Sequence, residues 1–193
     1  MPASDLTEFI AWLKANPNKV SQGVAGVGST THIFGILFQK ATGTRFQFIP
    51  YRGVAPAVLD LVAGNIDIVM SDPASALPQV QAGTIKVYAV TASHRQSIMP
   101  DIPTVDEAGL PGFHMSNWYA LFAPKRTPKN IIDKLNAVVV DALGDPTVRA
   151  RFAEQGVETF PREQQTPEAL RAVQKADIEK WWPIIKAVGI RAE

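Results

Sequence analysis

Apolar and polar residues alternate along the first half of the chain in short blocks whose spacing switches between helical and strand-like. Apolar positions at helical spacing predict a first helix, capped by Ser4 and ended by Asn16-Pro17. Short apolar runs then predict four strands, over residues 20–24, 46–50, 66–70 and 85–91. The helices predicted between the strands cover residues 30–41, 55–62 and 73–82. Strands alternating with helices of this length predict a parallel sheet, so residues 20–91 form a compact α/β lobe.

The second half is mainly helical. Residues 93–112 are rich in proline and glycine and predict a surface loop with one short helix near Val105. A strand over 113–122 follows, and then a helix for which Thr127 is the expected cap and Pro128 the expected first residue. The remaining predicted elements are a short helix over 146–154, a strand over 157–160 and a last helix that starts at Thr166-Pro167. Each of these helices has an apolar face that must be buried, either on the α/β lobe or in a second lobe.

Composition excludes several classes of protein. Of 193 residues, 46% are hydrophobic and 19% charged, as expected for a globular domain, and a net charge of +1 without a basic stripe argues against nucleic acid as a partner. The absence of cysteine excludes disulfides, thiolate metal sites and a cysteine nucleophile. The three histidines lack metal-ligand spacing, so we predict neither a metal nor a cofactor. No apolar run reaches the ~18 residues of a membrane span, and residues 1–5 show no leader.

The most informative local feature is the turn Gly23-Val-Ala-Gly-Val-Gly-Ser-Thr-Thr-His32, between the first strand and its helix. Its glycines permit tight backbone geometry, and the amides that begin the helix favour an anion. A phosphate-binding loop would need a lysine after Gly28, where Ser29 stands. A dinucleotide turn would need a glycine at Thr31 and an acidic residue after the second strand, and both are absent. A tight turn without a ligand remains the alternative to an anion site.

A hydrolytic triad of Ser29, His32 and Asp72 is a second alternative. The sequence around Ser29 is not a Gly-x-Ser-x-Gly elbow, and a histidine at a helix start is more often a packing or capping residue. Both observations argue against catalysis, so we predict that the protein is not an enzyme. An assay of ester hydrolysis by the wild type and by Ser29→Ala separates catalysis from binding.

Polar turns also follow the second and third predicted strands. Tyr51-Arg52-Gly53 and Ser71-Asp72 fall at the same edge of a parallel sheet as the glycine turn. Tyr51 can donate a hydrogen bond, and Gly53 can present its amide to an anion. Three such turns at one edge make a convergent binding site more plausible than any of them alone.

Five segments along the chain carry a family resemblance. They are Gly-Val-Gly-Ser-Thr-Thr-His (26–32), Pro-Tyr-Arg-Gly-Val-Ala-Pro-Ala (50–57), Ser-Ala-Leu-Pro-Gln-Val-Gln-Ala-Gly (75–83), Ile-Pro-Thr-Val-Asp-Glu-Ala-Gly-Leu-Pro-Gly (102–112) and Ala-Pro-Lys-Arg-Thr-Pro (123–128). In this order they resemble motifs of the tripartite tricarboxylate transporter substrate-binding family, also called the Bug family. The resemblance covers nearly the whole chain.

The resemblance implies a type II periplasmic-binding-protein fold, in which two α/β lobes close on a small di- or tricarboxylate or an aromatic acid. It implies an intact lobe with a parallel-rich sheet at residues 20–123, preceded by a connection and first helix at 1–19. Residues 124–193 would be the C-terminal helices of the other lobe, most of which would precede this chain together with a leader. By position, the resemblance implies ligand contacts for seven residues: Gly28, Ser29, Thr30, His32, Tyr51, Gly53 and Ser71.

Partners and location also follow from the resemblance. A periplasmic protein would deliver its ligand to the membrane subunits of a tripartite transporter, and helices left uncovered would allow self-association. Tight binding by this chain alone is not expected, because one wall of the cleft would be missing. The family often has hydroxyl residues where Val24 and Ala25 stand, and Asp72 lies one place beyond its polar position at Ser71. A sensory effector-binding module of the same fold is the alternative function.

Overall fold

A computed structural model describes residues 2–187 and 189 of the chain. Its helices are α1 Leu6–Ala15, α2 Thr30–Thr42, α3 Val54–Ala63, α4 Pro73–Gln81, α5 Lys129–Gly144, α6 Pro146–Glu154 and α7 Pro167–Ala187. Its strands are β1 Ser21–Val24, β2 Gln47–Pro50 and β3 Ile68–Val69, and a short 3-10 helix covers Arg162–Gln164. The fold divides into two compact units, a first unit that runs to Asn117 and a second unit from Trp118 to Gly189.

The first unit is built on a parallel sheet with β1 at its centre. The strand order is β2-β1-β3, and both pairings are parallel. In the register, Gln22 of β1 pairs with Phe48 of β2 and with Ile68 of β3. The α/β class and the parallel pairing predicted from the alternation of strands and helices are therefore confirmed.

Close helix packing on both faces of β1 depends on glycine. A Cβ added to Gly23 would lie 2.6 Å from Ile66 Cδ1 and 2.9 Å from Ala57 Cβ of α3. A Cβ added to Gly35 of α2 would collide with the side chain of Gln22 on the opposite face of the same strand. Both distances are shorter than real Cβ contacts allow, so α2 and α3 lie against β1 only because these positions lack a side chain.

The first unit has its own hydrophobic core. Fully or almost fully buried apolar side chains come from α1, α2, α3, the strands with the residues just before them, and the 99–115 segment: Leu6, Phe9, Leu13, Val20, Val24, Phe38, Phe46, Ala57, Val58, Ile66, Met99, Val105, Phe113 and Met115, together with Ala3. The rings of Phe9 and Tyr88 stack with centroids 4.9 Å apart. Burial of a large apolar side chain contributes about 1.5–3 kcal/mol, so this cluster is enough to hold α1 on the sheet.

Two helix starts differ from the sequence-based expectation. Asp5 caps α1 by accepting a hydrogen bond from Glu8 N, whereas Ser4 donates to the Glu8 carboxylate. Ser4 was therefore the wrong cap, because the closer acidic residue accepts the first free amide. At α5, Pro128 stands one place before the helix and no side chain caps it, so the predicted role of Thr127 was also wrong.

Two of the predicted strands are absent from the described part of the first unit. Residues 85–91 form only a single bridge, between Val90 and Thr104. In the 113–122 segment, Met115 N donates to Thr91 O and no ladder continues from it. A strand needs a neighbour along its length, and these segments have none. The helix predicted near Val105 is instead a set of turns, closed by reciprocal hydrogen bonds between Thr104 and Glu107.

The second unit consists of α5, α6, the 3-10 helix and α7. Asp145 caps α6. The Thr166 hydroxyl accepts from Ala169 N at the start of α7, and this cap was predicted. The strand predicted over 157–160 is not formed, and Phe160 is 45% exposed. Inside this unit Trp118 Nε1 donates to Asp177 Oδ2 at 2.5 Å. No residue described in the second unit is buried, so its helices lack a core of their own.

None of the helices described here combines the length and the apolar character needed to cross a bilayer.

The contact between α2 and β1 generates a stability prediction. Gly35→Ala adds a Cβ that must displace the buried Gln22 side chain and the half-buried Phe48 ring. Overpacking costs about 1–3 kcal/mol, which exceeds the ~1 kcal/mol gained from the better helix propensity of alanine. Urea unfolding followed by circular dichroism should therefore show a destabilised variant.

The matched control is Gly144→Ala, also in a helix, where the added Cβ meets only Arg162 Nη1 at 3.9 Å. There the substitution should leave stability unchanged or raise it by about 0.4–1 kcal/mol. Equal effects of the two substitutions would contradict the close packing of α2.

Candidate functional site

Three polar turns lie at the carboxyl edge of the sheet. Because β1, β2 and β3 are parallel, the turns that follow them emerge on the same side. The turn of residues 25–29 leads from β1 into α2, the turn 51–53 leads from β2 into α3, and the turn 70–72 leads from β3 into α4. Each helix therefore directs its N-terminus, the positive end of its dipole, to this edge.

The glycine turn, residues 25–29, is held by hydrogen bonds from its own amides. Ala25 N donates to Thr31 Oγ1 at 2.9 Å, and Gly28 N donates to His32 Nδ1 at 3.0 Å. Ser29 N donates to Gly26 O at 3.2 Å. Gly26 and Gly28 have φ angles of 117° and 79°, which side chains disfavour. The shape of the turn therefore depends on these two glycines and on the first helical residues behind it.

Four other amides in this segment are open. Those of Gly26, Val27, Thr30 and Thr31 have no hydrogen-bond partner in the described part of the chain. Thr30 and Thr31 begin α2, where amides have no intrahelical acceptor, and the Ser29 side chain satisfies only His32 N, at 3.3 Å. The segment thus offers free donors at the positive end of a 13-residue helix.

His32 acts on the turn through its unprotonated nitrogen. Because Nδ1 accepts from Gly28 N, the proton of the neutral ring is on Nε2. The ring packs edge-on against Phe48, with centroids 4.7 Å apart, and burial lowers the pKa of His32 from its usual value. The neutral form and the hydrogen bond to Gly28 therefore support each other.

Gln22 lies behind the glycine turn and is fully buried in β1. Its Nε2 donates to Thr31 O at 3.1 Å, in the first turn of α2. Its Oε1 is the one buried side-chain oxygen or nitrogen without a hydrogen-bond partner among the described residues. A buried acceptor left unpaired costs about 1–3 kcal/mol, so the Gln22 carbonyl lowers the stability of the core.

The second turn holds Tyr51 and Gly53. The Tyr51 hydroxyl donates to Asp60 Oδ2 of α3 at 2.8 Å, so its proton is already used within the lobe. Burial and this hydrogen bond raise the pKa of Tyr51, while the hydrogen bonds from Tyr51 and Asn65 lower the pKa of Asp60. Gly53 has a φ of 110° and starts α3 without a side-chain cap. The second turn therefore contributes backbone donors rather than the Tyr51 proton.

The third turn is occupied by capping interactions. The Asp72 carboxylate accepts from Ser75 N and from Ser75 Oγ, at 2.9 and 3.0 Å, and so caps α4. The Ser71 hydroxyl donates to Asp72 O at 2.9 Å. Ser71 can still accept a hydrogen bond, but both oxygens of Asp72 are engaged.

The side chains of the possible triad do not form one in this structure. Ser29 Oγ lies 3.0 Å from Thr31 Oγ1 and accepts from the backbone of His32, with no hydrogen bond to the ring. The ring nitrogen Nδ1 is occupied by Gly28, and the Asp72 carboxylate is occupied by Ser75. The arrangement suits binding rather than nucleophilic attack.

Sequence reasoning named the turns but missed several of the side chains that hold them. It expected the amides that begin α2 to be the donors, whereas the open set also includes Gly26 and Val27 of the turn. It did not single out Thr31, Gln22 or Asp60 as structural partners of the site. A glutamine in a strand predicted to be buried was the available signal for Gln22, because buried polar groups need a partner.

Comparison with known proteins identifies the family. The model of the tripartite tricarboxylate transporter family receptor matches residues 1–190. A protein encoded in the ttuE-ttuC' intergenic region of Agrobacterium vitis is 39% identical over 182 residues, which are 94% of this chain and 53% of that protein. BugT of Bordetella pertussis is 33% identical over 186 residues, 96% of this chain and 56% of its own. The chain thus spans about half the length of these curated relatives.

Solved structures agree with this result. The periplasmic binding protein BugD is 34% identical, with a TM-score of 0.87 over 100% of this chain and 64% of BugD. MatC of Rhodopseudomonas palustris, solved with malate, is 34% identical, with a TM-score of 0.87 over 95% of this chain and 63% of MatC. A second R. palustris protein, solved with adipate, is 29% identical, with a TM-score of 0.88 over 98% of this chain and 62% of that protein. The chain belongs to the tripartite tricarboxylate transporter receptor family.

Proposed function

We propose that the protein is a solute-binding receptor that captures a small carboxylate over the glycine turn. The observation that carries this proposal is the set of open amides at Gly26, Val27, Thr30 and Thr31, at the N-terminus of α2. Two structural relatives were solved with malate and with adipate, both of which are dicarboxylates. A di- or tricarboxylate, or an aromatic acid, is therefore the ligand class to test first.

Backbone donors are sufficient for this recognition. A hydrogen bond to a charged group contributes about 1.5–3 kcal/mol, and the helix dipole adds about 0.3–1 kcal/mol. Neutral amides need no counter-charge to be removed before the ligand enters. Arg52 is exposed in the neighbouring turn and carries a positive charge towards the same edge of the sheet. Arg52 and Asp72 balance each other in the three turns, so the backbone donors and the helix dipole are what favour an acid over a sugar.

The named site residues have different proposed roles. Thr30 contacts the carboxylate directly through its amide. Ser29 caps the helix, while Gly28 and His32 fix the turn through their mutual hydrogen bond. Gly53, in the next turn, adds a backbone donor. Two further residues, Tyr51 and Ser71, contribute to the wall of the site, Tyr51 through its ring and Ser71 as an acceptor.

The whole protein has a second wall. We infer that it has the two-lobed architecture of its relatives, closes on the acid in the periplasm and delivers it to the membrane subunits of a tripartite transporter. Support comes from the exposed apolar residues of the second unit. Their exposed fractions are 42% for Ile131, 52% for Leu135, 60% for Val138, 56% for Ile178 and 55% for Trp182. Such faces belong against another apolar surface.

Removal of one open amide tests the anion site. Proline is favoured at the first position of a helix, and Ser29 has φ −65° and ψ 163°, which a following proline accepts. Thr30→Pro therefore deletes the amide and preserves the helix. The dissociation constant for malate or adipate, measured by calorimetry, should rise by about 10- to 100-fold.

Thr30→Ala is the matched control, because it removes the side chain and keeps the amide. It should bind within about threefold of the wild type, since less than ~0.7 kcal/mol is then lost. A thermal-shift response to sugars or nucleotides, with none to any acid, would rule out carboxylate capture.

Acid pH should loosen the turn through His32. The pKa of His32 is lowered in the folded protein, so the unfolded chain takes up the proton first. Stability is therefore full above the unfolded pKa of about 6.5 and is lost as pH falls through the lower folded value. Thermal unfolding between pH 7.5 and 5 should show this loss.

His32→Asn is the comparison, because its Oδ1 takes the place of Nδ1 as acceptor and does not titrate. The wild type should lose more stability than His32→Asn over this pH range. Identical pH profiles for the two proteins would mean that protonation of His32 does not weaken the folded state through the Gly28–His32 hydrogen bond.

The exposed apolar face should cause self-association of the 193-residue chain. Leu135→Lys places a charge on that face and should reduce association measured by light scattering. Unfolding free energy should stay within about 0.5 kcal/mol, because the position is half exposed. Asn130→Lys, which adds the same charge at an exposed polar position of α5, should leave association unchanged. A strictly monomeric wild type at high concentration would refute the exposed face as a docking surface.

A further inference from the structure

Gln22 is unusual among the core residues of the first unit. It is fully buried on the central strand, yet its Oε1 has no hydrogen-bond partner among the described residues. Gly35 faces this side chain so closely that a Cβ there would collide with Oε1 and lie 2.9 Å from Nε2. An apolar side chain of similar shape would fill the same space without an unpaired acceptor. The glutamine is therefore not explained by stability.

What Gln22 does contribute is one directed hydrogen bond. Its Nε2 donates to Thr31 O, in the first turn of α2. The hydroxyl of the same Thr31 accepts from Ala25 N, at the end of β1, and lies 3.0 Å from Ser29 Oγ. Two hydrogen bonds therefore join Thr31 to β1 and the residue after it, one through the Thr31 backbone and one through its side chain.

These two hydrogen bonds connect the residues on either side of the glycine turn. Gln22 lies in β1 and Ala25 directly after it, so both bonds join the strand to the start of α2. The open amides of Gly26, Val27 and Thr30 lie in the segment that these bonds close. A fixed separation between strand and helix gives the turn one shape, and preorganised donors bind an anion more tightly than mobile ones.

We propose that Gln22 is a positioning residue for the anion site, retained at a cost in stability because it fixes the start of α2. The affinity part of this inference rests on the function proposed above, and the positioning part does not. Gly35 is the companion of Gln22, since no larger residue leaves room for its amide.

The test is Gln22→Met, which keeps the length of the side chain and removes both polar atoms. The control is Thr42→Val, another buried polar residue, which bonds Phe38 O at the other end of α2. Three quantities are measured on the same chain: thermal stability, amide hydrogen exchange of residues 25–31, and affinity for malate and adipate.

Gln22→Met should be at least as stable as the wild type. Exchange of the bonded amides of this segment, those of Ala25, Gly28 and Ser29, should be about tenfold faster, and affinity about tenfold weaker, the effect of one lost hydrogen bond. Thr42→Val should leave both the exchange of these residues and the affinity at wild-type values.

Each other outcome is decisive. Wild-type exchange in Gln22→Met overturns the positioning role. A variant less stable than the wild type also overturns the proposal, because Gln22 would then be an ordinary contributor to the core. Faster exchange in a chain whose wild type shows no saturable binding of any acid, weak binding included, supports the positioning role and rejects the proposed function instead. Faster exchange with unchanged affinity overturns the link between the two.

Discussion

Parallel pairing of β1 with strands on both sides is the constraint on which the rest of the structure depends. It puts three turns and three helix N-termini at one edge of the sheet. It also requires helices on both faces of a single central strand, which is possible only because Gly23 and Gly35 let α3 and α2 approach. The location of the candidate site and the glycine content of its surroundings thus have the same cause.

The glycine turn divides its amides between two tasks. The amides of Ala25, Gly28 and Ser29 donate hydrogen bonds within the turn and the start of α2. Those of Gly26, Val27, Thr30 and Thr31 have no acceptor among the described residues. Two of the acceptors come from the helix itself, the hydroxyl of Thr31 and the ring of His32, and the third is Gly26 O in the turn. Because a structural acceptor fixes each closed amide, the open ones are directed without any charged side chain. The function proposed above, anion capture by a nearly neutral surface, rests on this arrangement of donors.

The sequence predicted well where local patterning and tertiary structure agree. The first three strands, the helices between them and the start of α7 at Thr166-Pro167 follow from periodicity and capping, and their positions are confirmed within a few residues. The strands predicted at 85–91, 113–122 and 157–160 were wrong. Apolar alternation there is genuine, but a strand also needs a partner, and pairing partners cannot be read from one segment.

The site was predictable only in outline. Glycine spacing and strand ends identified the three turns, since both depend on short-range sequence. Which amide donates to which acceptor depends on side-chain packing several residues away, as with Gly28 and His32. The hydrogen bond from Tyr51 to Asp60 was equally unpredictable, because it joins a turn to the next helix.

The second unit has exposed apolar residues on its helices. Their exposure agrees with a chain that spans about half the length of its curated relatives.

The central claim is that a carboxylate binds over the open amides of the glycine turn and the start of α2. An amide NMR titration with malate and adipate tests it residue by residue. The account predicts saturable shifts that are largest at Gly26, Val27, Thr30 and Thr31 and smaller at Ala25 and Gly28, whose amides are already bonded. Saturable shifts centred on another region, such as residues 93–114, with an unchanged glycine turn, would contradict it.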